Sequence, residues 1–161
     1  MRGLMMDRPL LVSSILDYAA DRYGEVEMVS CTADAPAHRT TYAGLRRRAA
    51  QLAGALQHKL GVGLGDRIAT LAWNDHRHFE LYYGIAGIGA ICHTVNPRLF
   101  PEQIAYIINH AEDRYLFVDP MFVPLVEQLA SQLKTLEGVV VLTDAPTCRT
   151  AGSRERSTTR A

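Results

Sequence analysis

Charge of one sign does not prevail in this sequence, because 17 Lys and Arg stand against 17 Asp and Glu. Without an excess positive field there is little to displace counterions from a phosphate backbone, so nucleic acid is not an expected partner. Long hydrophobic runs are missing as well. The most apolar stretch, residues 81–95, is broken by Gly84, Gly87, Gly89 and His93, and no window approaches the roughly 20 apolar residues of a membrane-spanning helix. The first ten residues carry Arg2, Asp7 and Arg8 and no continuous apolar run, so a secretory signal is not expected. Cysteine is scarce. Cys31, Cys92 and Cys148 form no Cys-x-x-Cys pair, and an odd, widely spaced set is no disulfide framework. A reducing, cytoplasmic setting fits that usage.

What the chain does have is apolar periodicity, with 48% hydrophobic residues over 161 positions, enough for one domain with a sizeable core. Ser13 or Ser14 offers a helix cap, and Ile15, Leu16, Ala19 and Tyr23 follow at helical spacing up to Gly24. Residues 26–31 and 38–42 read as a pair of short strands. Thr41 is a candidate cap for a long helix whose stripe is Leu45, Ala49, Leu52, Ala53, Leu56 and Leu60, with Gly61 at its end. Residues 67–73 are almost unbroken in apolar character, as a strand covered on both faces requires. Asn74 or Asp75 can cap the next helix, at 76–88, and a strand at 91–95 runs into Asn96-Pro97. The pattern repeats with Pro101 opening a helix, a strand at 115–118, a helix at 123–133 and a strand at 139–142. Helices alternating with short apolar strands predict an α/β fold, an open, mostly parallel sheet with helices on both faces. Residues 145–161 contain no Leu, Ile, Val or aromatic residue. With nothing to bury, that tail is expected to be disordered, which places the domain at 1–144.

Few residues invite a chemical role. Gly61-Val-Gly-Leu-Gly65 follows a helix and precedes a strand, the reverse of a dinucleotide fingerprint, so a helix end and turn is the reading. The Walker pattern is absent. Gly84, Gly87 and Gly89 weaken a helix unless a neighbour packs closely, and close packing is the expectation for all three. Tyr82 and Tyr83 read as core fillers. His76 and His78 are spaced to point to different sides of a helix, and Cys92 and His93 to opposite faces of a strand. Neither pair suits a metal or a nucleophile with its base, so no catalytic and no metal-binding residue is assigned. Arg46-Arg47-Arg48 reads as a solvated helix face. Arg98 differs, because it follows Asn96-Pro97 at the carboxyl end of a predicted parallel strand, the edge where ligands of open α/β sheets sit, and its planar fork suits phosphate. Capping of the strand end is the other reading of Arg98.

Three segments carry a resemblance. Thr41-Tyr-Ala-Gly-Leu45, Gly65-Asp-Arg-Ile-Ala-Thr-Leu-Ala-Trp-Asn74 and Gly89-Ala-Ile-Cys-His-Thr-Val-Asn-Pro-Arg-Leu99 resemble the opening domain of acyl-CoA synthetases, the adenylate-forming, AMP-dependent ligase superfamily. Residues 101–114 are similar to the branch acting on fatty acids or 3-(methylthio)propionate, and the resemblance covers about residues 5–144. It implies a reaction in which a carboxylate and ATP give an acyl-adenylate, with magnesium assisting, and the CoA thiol then displaces AMP. It also implies that Arg98 matches an arginine that contacts a phosphate of the CoA nucleotide. The family's Ser/Thr/Gly-rich phosphate loop and its adenylation lysine have no counterpart in these residues. The expectation is therefore an N-terminal fragment that is inactive alone and needs no cofactor of its own, while ATP, magnesium and CoA belong to the parent enzyme.

The abrupt change after Thr143-Asp144 reads as a frameshift. The expected partner is the missing remainder of the ligase, supplied by a neighbouring reading frame or replaced by self-association through an exposed apolar face. The rival reading is a stand-alone α/β module that binds a ligand or partner without chemistry.

Overall fold

The computed structural model describes residue 3 and residues 7–31 and 37–143. The expected disorder of residues 145–161 falls outside the described residues. Among these, the chain runs α1 (Ser13–Tyr23), β1 (Glu27–Ser30), β2 (His38–Thr41), α2 (Tyr42–Leu60), β3 (Arg67–Leu71), α3 (His76–Gly87), β4 (Ile91–Thr94), α4 (Pro101–Ala111), β5 (Tyr115–Val118), a 3-10 turn (Pro120–Phe122), α5 (Val123–Leu129) and β6 (Gly138–Val141). The first two strands form an antiparallel hairpin. The other four make a sheet that is parallel throughout, as the βα alternation predicts, and its strand order is β4-β3-β5-β6.

Strand alternation feeds two cores. Ala69, Leu71, Leu116 and Val118 pack against Ile104, Ala105 and Ile108 of α4 and Val126 and Leu129 of α5. On the other face Ile68 and Phe117 pack against Leu56 of α2 and Leu81 and Ile85 of α3. The helix α1 reaches only a satellite cluster, where Leu16 meets Leu45 and Ala49. Its outer side leaves Ile15 and Tyr18 exposed, as are Leu11 and Val12 just before it.

The expected caps hold at three ends and fail at one. The Thr41 hydroxyl accepts from Gly44 N at 3.2 Å, the Asp75 carboxylate accepts from His78 N at 3.0 Å, and Gly61 closes α2 in the left-handed conformation at φ 63°. Ser13 and Ser14 do not cap α1. The cap position is Val12, with no side-chain hydrogen bond, and the Ser14 hydroxyl instead donates to Leu11 O at 2.6 Å. The reason is local: the chain already turns at residues 9–12, where Leu11 O and Val12 O accept from Ser14 N and Ile15 N, so the free donors are taken by carbonyls.

The glycines of the α3 region divide. A Cβ on Gly84 would stand 2.9 Å from Leu52 Cδ2 and 3.1 Å from Ala49 O, so this glycine lets α2 and α3 approach. Gly89 adopts φ 76° and sits against Leu64. At Gly87 the expected close packing is absent, with nothing within 4 Å of its Cβ position, because this position faces an open groove that it lines with Ala53, Gly54 and Gln57 of α2.

At the amino-terminal end of the sheet Arg114 ties three turns. Its guanidinium pairs with Glu137 at 2.8 Å and with Asp66, and donates to Gly61 O at 3.3 Å. Asp66 is held below the usual carboxylate range, first by the Gly63 N–H and then, against some burial, by Arg114. Glu137 is lowered chiefly by its hydrogen bond to Arg114.

Two outcomes follow. Gly84→Ala should lose about 1 kcal/mol, overpacking outweighing the gain in helix propensity, whereas Gly54→Ala, with open space around its Cβ, should gain up to about 1 kcal/mol in urea unfolding. Because the two carboxylates have depressed folded pKa values, their stabilisation is complete above their unfolded values of about 4 and is lost as pH falls further. The difference in thermal midpoint between the wild-type chain and Arg114→Met should shrink between pH 6 and pH 3.

Candidate functional site

Parallel strands end together, and here the connections that leave β3 and β5 part company. The chain after β3 enters α3 on one face, and the chain after β5 enters α5 on the other. Such a switch point opens a crevice at the carboxyl edge, the place where open α/β sheets bind ligands. Beside it lies a cleft of about 320 Å³ lined by residues 72–74, His78, Tyr82 and residues 94–98.

Arg98 stands at the mouth of this cleft. Its main-chain N–H donates to Asn96 Oδ1 at 2.9 Å, and Leu99 N donates to Asn96 O at 3.2 Å, so the Asn-Pro-Arg turn is held by its own asparagine. The side chain is exposed. Its guanidinium makes no hydrogen bond or ion pair with the described residues, so the capping reading of Arg98 has no support in the geometry.

The walls are aromatic. Tyr82 does not fill the core as expected; it is 41% exposed and lines the cleft, because α3 turns this position away from Leu81 and Ile85, which face the sheet. Tyr83 is partly buried against the α1–α2 cluster, as expected of a core residue. Trp73 is 39% exposed, with its indole N–H 2.6 Å from Met121 Sδ and its ring 5.4 Å from Phe122. The cleft floor holds His78, buried, with Nε2 3.0 Å from Thr70 Oγ1 and its ring 4.9 Å from that of Tyr82. Burial lowers the His78 pKa below 6.5, against the opposing pull of the Trp73 carbonyl and the charges of Asp75 and Asp119. The imidazole is therefore neutral at physiological pH.

Behind the cleft lies a buried ionic cluster that sequence reasoning missed. Arg77 Nη2 is 2.9 Å from Asp75 Oδ2 and 4.0 Å from Asp119 Oδ1, and Arg77 Nη1 donates to Leu142 O at 2.9 Å. Asp119 Oδ2 accepts from Trp73 N at 2.7 Å. The available signal was two aspartates, Asp75 and Asp119, placed just past the ends of apolar strands.

The remaining residues singled out in the sequence lie outside the cleft lining. His76 is buried and stacks on His38 at 3.7 Å, away from His78. His93 Nδ1 lies 2.7 Å from Asp113 Oδ2, while Cys92 faces the other core, its thiol pushed up to about 11 by burial. Among Arg46, Arg47 and Arg48, the first pairs with Asp17 and Asp21 and the last with Glu80. Among the described residues no group of three or more His, Cys, Asp or Glu is arranged to hold a metal ion, so no step through magnesium is assigned to them. No helix among the described residues is long and apolar enough to cross a membrane.

Comparison with known proteins places this architecture. The family model described as AMP-binding enzyme matches residues 16–160. The chain is 49% identical over 142 residues to the 3-methylmercaptopropionyl-CoA ligase of Ruegeria lacuscaerulensis, covering 88% of this chain and 26% of the relative. It is also 49% identical over 138 residues to the long-chain-fatty-acid–CoA ligase of Thermus thermophilus, covering 86% of this chain and 25% of that one. Among solved structures, the anthranilate CoA ligase AuaEII in complex with anthranoyl-AMP superposes with a TM-score of 0.72 at 28% identity, over 84% of this chain and 26% of the other. The N-terminal domain of FACL13 from Mycobacterium tuberculosis shares the fold, with a TM-score of 0.74 at 23% identity over 83% of this chain and 34% of that one. The chain thus spans about a quarter of the length of the curated relatives it matches. With the parallel sheet, the carboxyl-edge cleft and these matches together, the chain belongs to the AMP-binding enzyme family and corresponds to part of the N-terminal domain of its acyl-CoA ligases.

Proposed function

We propose that this chain is one part of an acyl-CoA ligase, the enzyme that converts a carboxylate, ATP and CoA to acyl-CoA, AMP and pyrophosphate, and that Arg98 contributes a contact to a phosphate of the CoA nucleotide. The observation that carries the reading is the exposed Arg98 guanidinium, without a hydrogen bond to the described residues, at the mouth of a cleft walled by Trp73 and Tyr82. A planar, permanent cation beside aromatic rings suits a phosphorylated nucleotide better than a fatty acyl chain. The names of the relatives support a fatty acid or a methylthio-substituted propionate as the carboxylate.

These 161 residues are proposed not to catalyse the reaction alone. Adenylyl transfer needs several donors and cations fixed around developing charge, and the cleft offers one permanent cation among its lining residues. The exposed apolar groups of α1 and of the carboxyl-edge rim, Ile15, Tyr18, Trp73 and Met121 among them, support a further ligase segment as the partner that covers this part. The frameshift reading of the tail is tested on the gene, where another frame should extend the ligase pattern.

The binding reading is tested with CoA. Titration followed by NMR should give cleft-residue shifts with a dissociation constant of about 1 mM, and Arg98→Ala should weaken it about tenfold, the worth of one charge-assisted phosphate contact. No shifts at several millimolar CoA, or an Arg98→Ala variant that binds as before, sinks the reading. Incubation of the purified chain with ATP, magnesium and a panel of carboxylates should release no AMP; an acyl-adenylate made by the chain alone overturns the proposed inactivity.

The His78 imidazole gives a separate check on the cleft floor. Its folded pKa lies below 6.5, so the folded chain binds fewer protons than the unfolded chain just below that value, and stability falls as pH drops through the window. In NMR, His78 should titrate below the ordinary value of a free imidazole, and His78→Gln should flatten the loss of thermal midpoint between pH 7 and pH 5.

A further inference from the structure

We infer that Asp119, which is not among the residues lining the cleft, is a positioning residue for it: its carboxylate holds the Trp73 main chain so that the indole stands as a wall beside Arg98. The inference rests on the cleft reading above for its ligand, and on the geometry alone for the hold on Trp73.

The need for such a hold comes from the switch point. Along the β3–β5 ladder the paired residues run to Leu71 and Val118, and Asp119 N donates to Leu71 O at 3.1 Å as the last backbone bond of the pair. Beyond it the two chains diverge toward opposite faces of the sheet. The next donor along the chain, Trp73 N–H, has no strand carbonyl to meet, and a partly buried N–H without an acceptor is costly. Asp119 Oδ2 fills that place at 2.7 Å, a charge-assisted bond. The Trp73 carbonyl is taken in turn by Asp75 N at 3.0 Å, so both main-chain polar groups of this residue are fixed.

The carboxylate is itself held. Asp119 is 4% exposed, and Arg77, 4.0 Å from its Oδ1, is anchored by Asp75 and by Leu142 O. The wall carrying Trp73 is thereby tied to the end of β5 and to the chain leaving β6. A displaced Trp73 main chain would carry the adjoining Ala72 and Asn74, which line the same cleft, away from Arg98.

Two substitutions separate the acceptor from the charge. Asp119→Asn removes the charge facing Arg77 but keeps an oxygen for Trp73 N–H; Asp119→Ala removes both. Trp73 is the sole tryptophan, so its emission reports its own surroundings. In the purified chain both variants should lose thermal stability. Asp119→Asn should keep the wild-type emission maximum and bind CoA within about threefold of wild type, while Asp119→Ala should shift the emission to the red and weaken CoA about tenfold. Equal behaviour of the two variants in emission and affinity overturns the inference. Hydrogen exchange covers the case in which Asp119→Ala does not fold: the Trp73 amide should be protected in the wild-type and Asp119→Asn chains, and fast exchange in the folded wild-type chain rules out the hold. A wild-type chain that shows no CoA shifts, with a protected Trp73 amide and emission retained in Asp119→Asn, overturns the CoA reading and supports the hold of Asp119 on Trp73.

Discussion

Burial of β3 on both faces is the constraint from which the rest of the architecture follows. Ile68, Ala69, Thr70 and Leu71 are each 0% exposed, and a strand in that condition needs a hydrogen-bonded neighbour on each edge and an apolar layer above and below. The neighbours are β4 and β5. The layers are α2 with α3 on one side and α4 with α5 on the other. Since β3 connects to β4 on one side and β5 to β6 on the other, right-handed connections past the ends of β3 and β5 leave toward different faces, and a crevice opens between them at the carboxyl edge. The candidate site is thus a consequence of how the central strand is buried.

The two ends of the sheet solve the same electrostatic problem differently. At the amino-terminal end Arg114, Asp66 and Glu137 remain partly in water, so their attraction is screened and worth little individually. At the carboxyl end Asp75, Arg77 and Asp119 are nearly withdrawn from solvent, where desolvation offsets much of the attraction and an apolar replacement could be as stable. What an apolar replacement could not supply is an acceptor for the Trp73 N–H or a donor for the Leu142 carbonyl. The buried charges are better understood through those two main-chain groups than through the strength of the ion pair.

Much of the fold was legible in the sequence because its signals are local. The stripe of α2, the run of residues 67–73 and the Asn96-Pro97 break each announce an element through spacing or a turn residue, and the parallel pairing follows from the βα alternation, though the strand order does not. Arg98 was legible for the same reason, as a cation just past a strand end. Other features depend on tertiary neighbours. Whether Ser14 caps α1 turns on which carbonyls residues 9–12 present, whether Gly84 or Gly87 marks a close approach turns on which side of α3 meets α2 and which meets an open groove, and whether Tyr82 is core or cleft turns on the rotation of α3 about its axis. The Asp119–Trp73 bond joins positions 46 apart in sequence; no periodicity encodes it.

Under the proposed CoA reading, a cleft of this geometry would orient a nucleotide without performing the chemistry itself. A ligand lying along Trp73 and Tyr82 with a phosphate on Arg98 would be held from one side only, by side chains of two adjoining loops and the first turns of α3. Orientation from one side would lower the entropy of a later encounter but leave the CoA thiol and the acyl-adenylate it attacks open to water, where each charge is worth a fraction of its value in a closed site. Converting such a platform into a catalytic site requires a second surface that excludes water and brings its own cations, and the apolar rim formed by Trp73, Met121 and Phe122 is shaped by exposure to meet one. On the proposed function the division of labour would be physical: this part would fix the direction from which CoA approaches, and whatever closes over the rim would supply the field that stabilises the transition state.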